Sequence, residues 1–298
     1  MFRGSIVALV TPMKVDGAID HAALERLLEF HVVSGTDGIV IAGTTGEAPT
    51  LDPTELEALV ARAVEIAGYR IPVIAGSGSN CTKKTIELTR RVARGGARAA
   101  LVVTPYYNKP PQRGLAAHYR AVADEGGLPV IMYNVPGRTG CDLLPRTVAA
   151  LAEYQGIVGL KEATPDLSRL DDLRAACPSD FCLLSGDDAT ALDFMLRGGD
   201  GVISVTANVA PRLMSGMCSA ALEGEERKAR LLNEHMESLH AALFCEPNPI
   251  PVKWGVWRLG LIGQGIRLPL CWLDMEHEST VLSAMRAAGL ETTDREDV

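Results

Sequence analysis

Lys161 is the residue whose surroundings most strongly suggest chemistry. It lies in the segment Ile157-Val158-Gly159-Leu160-Lys161-Glu162, and it is the only one of the seven lysines that interrupts a strand-like apolar run. Side chains alternate between the two faces of a strand, so Lys161 and Glu162 must point in opposite directions. Burial disfavours the charged form of an amine, and a neutral lysine can attack a carbonyl carbon to form a Schiff base. The alternative is a structural lysine paired with an acidic neighbour.

Schiff-base chemistry also needs a group that carries protons, and the histidines are poorly placed for this role. All six lie in helix-like stretches or in the C-terminal tail. Tyr133 ends the strand-like run that precedes the run of Lys161, so it is the candidate proton carrier, and Thr44 and Tyr107 could extend a chain of hydroxyl groups from it. Packing at the rim of a barrel is the alternative for either tyrosine. The positions of the histidines offer no metal triad, so we expect no metal site.

Two other segments are suited to binding carboxylate groups. The run Gly43-Thr44-Thr45-Gly46-Glu47 offers backbone N–H groups between glycines that allow close approach. Arg138 follows Tyr133 in a loop rich in Gly and Pro, and its forked guanidinium could bind a second carboxylate. A structural turn and a solvated arginine are the respective alternatives. We interpret Asp187 and Asp188 as a helix cap that also supports the rim.

These residues follow short apolar runs that recur along the chain. Each run is apolar almost throughout, as expected for parallel strands buried on both faces, and successive runs start 20 to 34 residues apart. That spacing fits one strand, one helix and two loops, so we predict a (β/α)8 TIM barrel with its active site at the carboxyl ends of the strands. The eight runs are Ser5 to Pro12, Gly38 to Thr45, Pro72 to Ser79, Ala99 to Tyr107, Pro129 to Pro136, Ile157 to Ala163, Phe181 to Asp188 and Gly201 to Asn208.

A doubly wound open sheet is the competing architecture. The chain lacks the glycine-rich phosphate turn that typically follows the first strand of such a sheet. Beyond the eighth unit we predict a helical appendage, which divides the chain into a barrel over 1–224 and a C-terminal helical domain over 225–298. In the appendage we expect helices over 225–242, 252–261 and 279–288, with a rigid break at Pro247-Asn248-Pro249.

Composition narrows the class of partner. The 298 residues include 29 Lys plus Arg against 37 Asp plus Glu, a formal net charge of −8. An acidic chain repels nucleic acid and anionic membranes, so we expect neither as a partner, and a small-molecule substrate is favoured. Without a spanning apolar run or a signal-peptide core, we expect a cytoplasmic protein. The seven cysteines are scattered, which favours free, buried thiols.

Several stretches resemble the dihydrodipicolinate synthase family, a branch of the pyruvate-dependent class I aldolases. The resemblance covers nearly the whole chain. The matching stretches are 43–47, 103–108, 133–140, 159–164, 201–208 and 246–253, with sequences GTTGE, VTPYYN, YNVPGRTG, GLKEAT, GVISVTAN and EPNPIPVK.

The resemblance implies a role for each candidate residue. Lys161 would form a Schiff base with pyruvate, while Tyr133, Thr44 and a Tyr107 from a neighbouring subunit would relay protons. The Thr44 and Thr45 region would hold the carboxylate of pyruvate, and the main chain of Ile203 would line the site. Arg138 would receive the carboxylate of L-aspartate 4-semialdehyde.

The resemblance also implies a homotetramer built from two tight dimers, with neither a metal nor an organic cofactor. Condensation and cyclisation would then start the pathway to diaminopimelate and lysine. The nearest rival is a sister enzyme, such as N-acetylneuraminate lyase or a 2-keto-3-deoxy sugar acid aldolase, and Arg138 favours the synthase. A catalytically silent barrel that binds a keto acid is the rival from another class.

Feedback inhibition by lysine is expected to be weak or absent. Inhibited members of the family surround lysine with polar and acidic side chains, and Asn80 and Tyr106 are retained here. Pro53, Leu56 and Lys84 stand where such members have His, His and Glu. The cationic Lys84 would repel a lysine effector. An assay with saturating substrates and millimolar lysine checks this expectation, which strong inhibition would contradict.

Overall fold

The computed structural model describes residues 2–293, and eight parallel strands within this range close into a barrel in sequence order. The predicted TIM barrel is therefore confirmed, and the open-sheet alternative is excluded. Each strand lies within one of the eight predicted apolar runs, except that β1 begins one residue earlier. The strands are β1 Gly4–Ala8, β2 Gly38–Ile41, β3 Val73–Gly76, β4 Ala99–Val103, β5 Val130–Asn134, β6 Ile157–Glu162, β7 Cys182–Ser185 and β8 Gly201–Ser204.

Helices connect the strands and cover the outside of the barrel. The second helix begins at Pro53 behind a capping box. The Asp52 side chain accepts a hydrogen bond from a backbone N–H of the first turn, and the Glu55 side chain accepts one from the backbone N–H of Asp52. The helices are α1 His21–Val33, α2 Pro53–Ala67, α3 Thr82–Arg94, α4 Gln112–Glu125, α5 Pro136–Thr139, α6 Pro145–Ala152, α7 Ser168–Ala176, α8 Ala191–Leu196, α9 Pro211–Leu222, α10 Glu226–Glu234, α11 Glu237–Ala242, α12 Ile250–Arg258 and α13 Met275–Ala287.

The two faces of each strand belong to different apolar layers. One layer fills the barrel interior and includes Ile6, Val40, Leu101 and Leu184. Neighbours in sequence such as Val102 and Leu183 instead pack with residues of the surrounding helices. This alternation fixes which polar residues near the strand ends can reach the interior.

The predicted single helix over 225–242 is wrong. The chain instead forms α10 and α11, with an interruption of the helix at His235 and Met236. The break allows Met236 and Leu239 to be fully buried, whereas Leu231 on α10 stays half exposed. Tertiary packing therefore overrides an uninterrupted helical pattern.

The other tail helices start earlier than predicted. The first, α12, begins at Ile250, directly after the predicted Pro-Asn-Pro break, and α13 begins at Met275 because Asp274 caps it. The tail packs closely on the barrel, since Trp254 and Val256 share one buried apolar cluster with Val7 and Leu24. The division into two domains at 224 and 225 remains a prediction.

The structure tests the predictions about the cysteines and about a membrane-spanning helix. All seven thiols are free, but only Cys141, Cys182 and Cys218 are buried and Cys271 is exposed. The expectation that all of them are buried is therefore wrong. No helix within residues 2–293 combines the length and the apolar character needed to cross a membrane.

His31 makes the fold sensitive to acid. The ring is fully buried on α1, Nδ1 lies 3.1 Å from Thr36 Oγ1, and burial lowers the pKa of His31 to about 3. The unfolded chain takes up a proton near pH 6.5 and the folded chain does not, so stability falls as the pH drops below 6.5. At pH 5 this difference amounts to about 2 kcal/mol.

We therefore expect the free energy of unfolding of the wild type to fall by about 2 kcal/mol more than that of His31→Gln when the pH is lowered from 7 to 5. Urea unfolding at several pH values measures the two slopes. His235→Gln, at an exposed site, is the control and should keep the wild-type slope. Equal slopes for His31→Gln and the wild type would contradict the assignment.

Candidate active site

Lys161 lies where β5, β6 and β7 end side by side. In the sheet register Lys161 pairs with Tyr133 on one side and with Leu184 on the other. Its side chain is only 6% exposed, and Nζ lies 4.4 Å from the centroid of the Tyr133 ring. Within residues 2–293 the amine has neither an ion-pair nor a hydrogen-bond partner. The structural alternative, pairing with an acidic neighbour, is therefore not what the structure shows.

Glu162 is directed away from the amine, as the alternation along the strand predicts. Its carboxylate accepts hydrogen bonds from Asn134 Nδ2 at 3.1 Å and Arg169 Nη2 at 3.2 Å, on the helix side of the sheet. Burial raises the pKa of Glu162, and the charge of Arg169 opposes that shift. The acidic group next to Lys161 in the sequence is thus neutralised elsewhere.

Gly186 provides the space that the Lys161 side chain occupies. A Cβ atom at Gly186 would lie 2.8 Å from Lys161 Cε and 2.7 Å from Ala163 Cβ. Such distances are too short for carbon atoms in van der Waals contact. A larger residue at this position would therefore displace the amine.

The turn after β2 presents unpaired donors. Gly46 N–H and Glu47 N–H are used inside the turn, donating to Gly43 O and Thr44 O at 3.1 Å each. No acceptor within residues 2–293 pairs with the backbone N–H of Thr44 or of Thr45. Buried or half-buried N–H groups without partners are suited to an anionic oxygen. The turn can therefore receive a carboxylate.

Several predicted residues line one cavity of about 520 Å³. Thr44, Tyr133 and the exposed Arg138 of α5 contribute to its wall, together with Lys84 and Tyr106. Some of the candidate catalytic residues and two of the candidate effector residues thus share a single cleft, whereas Lys161 is not among its lining residues. Neither Lys84 nor Arg138 has an acidic partner within residues 2–293, so the cleft carries two uncompensated positive charges.

The predicted residues Thr45, Ile203 and Asn80 do not line this cavity and have other contacts. Thr45 is buried, and its Oγ1 accepts a hydrogen bond from Asn248 Nδ2 at 3.0 Å. Ile203 is buried in the interior layer and pairs with Ile6 in the register of β8 and β1. Asn80 accepts a hydrogen bond from Asn108 Nδ2 through its main-chain oxygen. It is not among the residues that line the cavity.

Tyr107 is largely exposed to solvent within one chain. Its side chain is 88% exposed, and its backbone has a φ of 73° in the loop after β4. It does not line the cavity that contains Tyr133 and Thr44. The role of its hydroxyl in a proton relay with a neighbouring subunit remains a prediction.

The interpretation of Asp187 and Asp188 as a helix cap is wrong. Helix α8 has no side-chain cap. Asp188 Oδ2 instead accepts hydrogen bonds from the N–H groups of Val205 and Thr206, at 2.8 and 2.9 Å. Asp188 thus stabilises the turn after β8, which agrees with the predicted support of the barrel rim.

Comparisons with known proteins place the chain in a family. The model of the dihydrodipicolinate synthetase family matches residues 1–288. The chain is 58% identical to a 4-hydroxy-tetrahydrodipicolinate synthase of Methylococcus capsulatus, over 97% of this chain and 100% of the relative. It is 56% identical to an enzyme of the same name from Thiobacillus denitrificans, over 97% of both chains.

The chain belongs to the dihydrodipicolinate synthetase family. The solved structures agree with this membership. A chloride-inhibited dihydrodipicolinate synthase of Acinetobacter baumannii, complexed with pyruvate, superposes with a TM-score of 0.96 at 49% identity, over 98% of this chain and 100% of that one. The family resemblance predicted from the sequence is confirmed.

Sequence reasoning missed three residues that shape this family site. Gly186 is a small residue with no distinctive local pattern, and the Pro-Asn-Pro break that contains Asn248 does not indicate its partner, because both residues act through contacts distant in sequence. Lys253 could have been noticed, because it interrupts the apolar stretch Ile250-Pro251-Val252-Lys253-Trp254 as Lys161 interrupts its strand. Lys253 is completely buried.

Proposed function

We propose that the chain is a 4-hydroxy-tetrahydrodipicolinate synthase, a lyase of the class I aldolase type. It condenses pyruvate with L-aspartate 4-semialdehyde, and the product then cyclises. The observation that carries the proposal is the buried Lys161 amine, which has no acidic partner and lies against Tyr133 at the carboxyl end of the barrel. The names of the full-length relatives support this substrate pair over those of the sister aldolases.

The first step is attack of the Lys161 amine on the keto carbon of pyruvate. One proton moves from the amine to the keto oxygen, and the resulting hydroxyl takes up a second proton and leaves as water, which produces a protonated imine between Nζ and the carbon. The attack uses the lone pair of the amine, and no carboxylate within residues 2–293 forms an ion pair with Lys161 Nζ. Tyr133 donates the proton that the departing hydroxyl requires.

The carboxylate of pyruvate binds at the turn after β2. The N–H groups of Thr44 and Thr45 donate to its oxygens, which restrains the keto carbon in front of Lys161. The main chain of Ile203 closes the opposite side of this small substrate. The unpaired state of both N–H groups supports this assignment.

The second step forms the new carbon–carbon bond. Tyr133, which lost its proton in the first step, accepts a methyl proton, and the protonated imine becomes an enamine whose carbon attacks the aldehyde carbon of the second substrate. The relay of Tyr133, Thr44 and Tyr107 from a neighbouring subunit supplies a proton to the resulting alkoxide. Arg138 binds the carboxylate of the semialdehyde through paired hydrogen bonds.

The last step releases the enzyme. The amino group of the condensed product attacks the imine carbon, a ring closes, and the Lys161 amine leaves with a proton. No metal or organic cofactor takes part in this sequence of proton transfers and carbon–nitrogen exchanges. In the cell the reaction starts diaminopimelate and lysine synthesis in the cytoplasm.

The proposal includes a homotetramer made of two tight dimers. A single chain leaves Tyr107 exposed and outside the cavity, whereas the relay needs its hydroxyl near Thr44 and Tyr133. Tyr106, which is 37% exposed, adds a second aromatic ring to the same surface. Exposed aromatic pairs of this kind are typical of subunit contacts.

Lys161→Ala tests the covalent step. Treatment with pyruvate and borohydride should reduce the imine and leave one adduct per chain on Lys161 in the wild type. The alanine variant should gain none, because the attacking amine is absent. Intact mass and peptide mapping measure the adduct and locate it. Lys228→Ala, which replaces an exposed lysine of α10, is the control and should retain the adduct. Labelling of Lys161→Ala at wild-type stoichiometry would exclude this nucleophile.

Arg138→Ala separates the two substrates. The variant should form the pyruvate adduct normally, because pyruvate does not contact Arg138. Its kcat/KM for the semialdehyde should fall roughly 100-fold, the equivalent of about 3 kcal/mol for a lost charge-assisted pair. Steady-state kinetics and borohydride trapping measure both effects. Arg146→Ala, at an exposed site on α6, is the control. An Arg138 variant that no longer binds pyruvate would refute the assigned role.

A further inference from the structure

A second buried lysine lies close to the proposed pyruvate site but has no part in the mechanism above. Lys253 on α12 donates a hydrogen bond through Nζ to Glu47 Oε1, and both side chains are completely inaccessible. Burial lowers the pKa of Lys253, and the adjacent carboxylate of Glu47 opposes that shift. The pair connects the C-terminal tail with the turn that carries Thr44 and Thr45.

Glu47 adopts a backbone conformation that its residue type disfavours. Its φ is 57°, in the left-handed region, where a non-glycine residue persists only if its surroundings hold it. In this conformation its N–H donates to Thr44 O at 3.1 Å and closes the turn. Both oxygens of its carboxylate accept hydrogen bonds, because the backbone N–H of Arg267 donates to Oε2 at 3.0 Å and Lys253 Nζ donates to Oε1.

The tail holds the same turn at other points. Asn248 Nδ2 donates a hydrogen bond to Oγ1 of Thr45, and Thr45 lies two residues before Glu47 in the chain. The guanidinium of Arg267 donates to Thr50 O at 2.7 Å and to Glu55 at 2.6 and 2.8 Å, on the far side of the turn. The turn is thus fixed from its beginning to the first residues of α2 by one segment of the tail.

We propose that Lys253 is a positioning residue for the keto-acid subsite. Through the Glu47 carboxylate it fixes the turn after β2, so that the Thr44 and Thr45 N–H groups face the carboxylate of the first substrate. Lys253 does not touch the substrate itself. This inference rests on the proposed function, since it assumes that the keto acid binds at this turn.

A purely structural pair would behave differently from a positioning pair. Loss of a purely structural pair lowers the fraction of folded chains, and every folded chain then binds substrate as before. Loss of a positioning pair weakens substrate binding within the folded chains. The pyruvate concentration that gives half-maximal trapping distinguishes these cases at a temperature where each variant is folded before pyruvate is added, because a reversibly unfolded fraction would itself raise that concentration.

The experiment compares the full-length wild type with Lys253→Met and with the double variant Glu47→Gln/Lys253→Met. Lys228→Met, which removes an exposed lysine paired with Glu225, is the matched control. Each protein is incubated with a series of pyruvate concentrations, reduced with borohydride and weighed by intact mass. The KM of the semialdehyde is measured separately at saturating pyruvate.

For Lys253→Met we expect the half-saturating pyruvate concentration to rise roughly 10-fold or more, with an unchanged plateau per folded chain. The KM of the semialdehyde should change less than about 3-fold. The double variant leaves no unpaired charge in the interior and should show a smaller rise than Lys253→Met. The Lys228→Met control should match the wild type.

A half-saturating concentration equal to that of the wild type in folded Lys253→Met would overturn the inference. If Lys253→Met is insoluble, the double variant decides by the same criterion. Insolubility of both variants would assign the pair to folding alone and would also overturn it. A wild type that forms no adduct would instead refute the proposed function, so the two failures are distinguishable.

Discussion

The proposed chemistry depends on keeping one amine buried without a counter-charge. Water stabilises an ammonium group, and a nearby carboxylate does the same, so both must be kept away from Lys161 if it is to act as a nucleophile. The barrel meets both conditions by ordinary strand geometry. Alternation on β6 directs Lys161 to the interior beside the Tyr133 ring and directs Glu162 outwards to Arg169. A one-residue shift in register would exchange the two groups and remove the site.

The loops at the carboxyl ends of the strands contain the backbone strain of the molecule. Within residues 2–293, the four non-glycine residues with positive φ are Ala42, Glu47, Tyr107 and Lys109. Two belong to the loop after β2 and two to the loop after β4, and these loops carry Thr44, Thr45 and Tyr107. Strain of this kind is stable only where surrounding contacts fix it, so it coincides with the segments whose geometry the site requires. The strands themselves supply the rigid frame.

The barrel could be predicted from the sequence because its strands are encoded locally. Each strand is a short apolar run, and the spacing between runs repeats, so periodicity alone gave the topology. Lys161 was identifiable for the same reason, since a charge inside such a run is unusual. The break between α10 and α11 was not predictable, because burial of Met236 depends on packing against distant residues. The contact of Asn248 with Thr45 likewise joins positions about 200 residues apart.

Comparison of the two buried lysines shows why residue type and burial do not by themselves assign reactivity. Lys161 and Lys253 both interrupt apolar segments, and both are removed from water. Lys253 has the Glu47 carboxylate beside it, and proton loss would leave that buried carboxylate without its cation, which opposes the lowering of the Lys253 pKa by burial. Lys161 has no such partner within residues 2–293, and its nitrogen lies against the face of the Tyr133 ring, 4.4 Å from the ring centroid. The decisive difference is the distribution of carboxylates, which strand alternation determines for one lysine and closure of the tail on the barrel determines for the other.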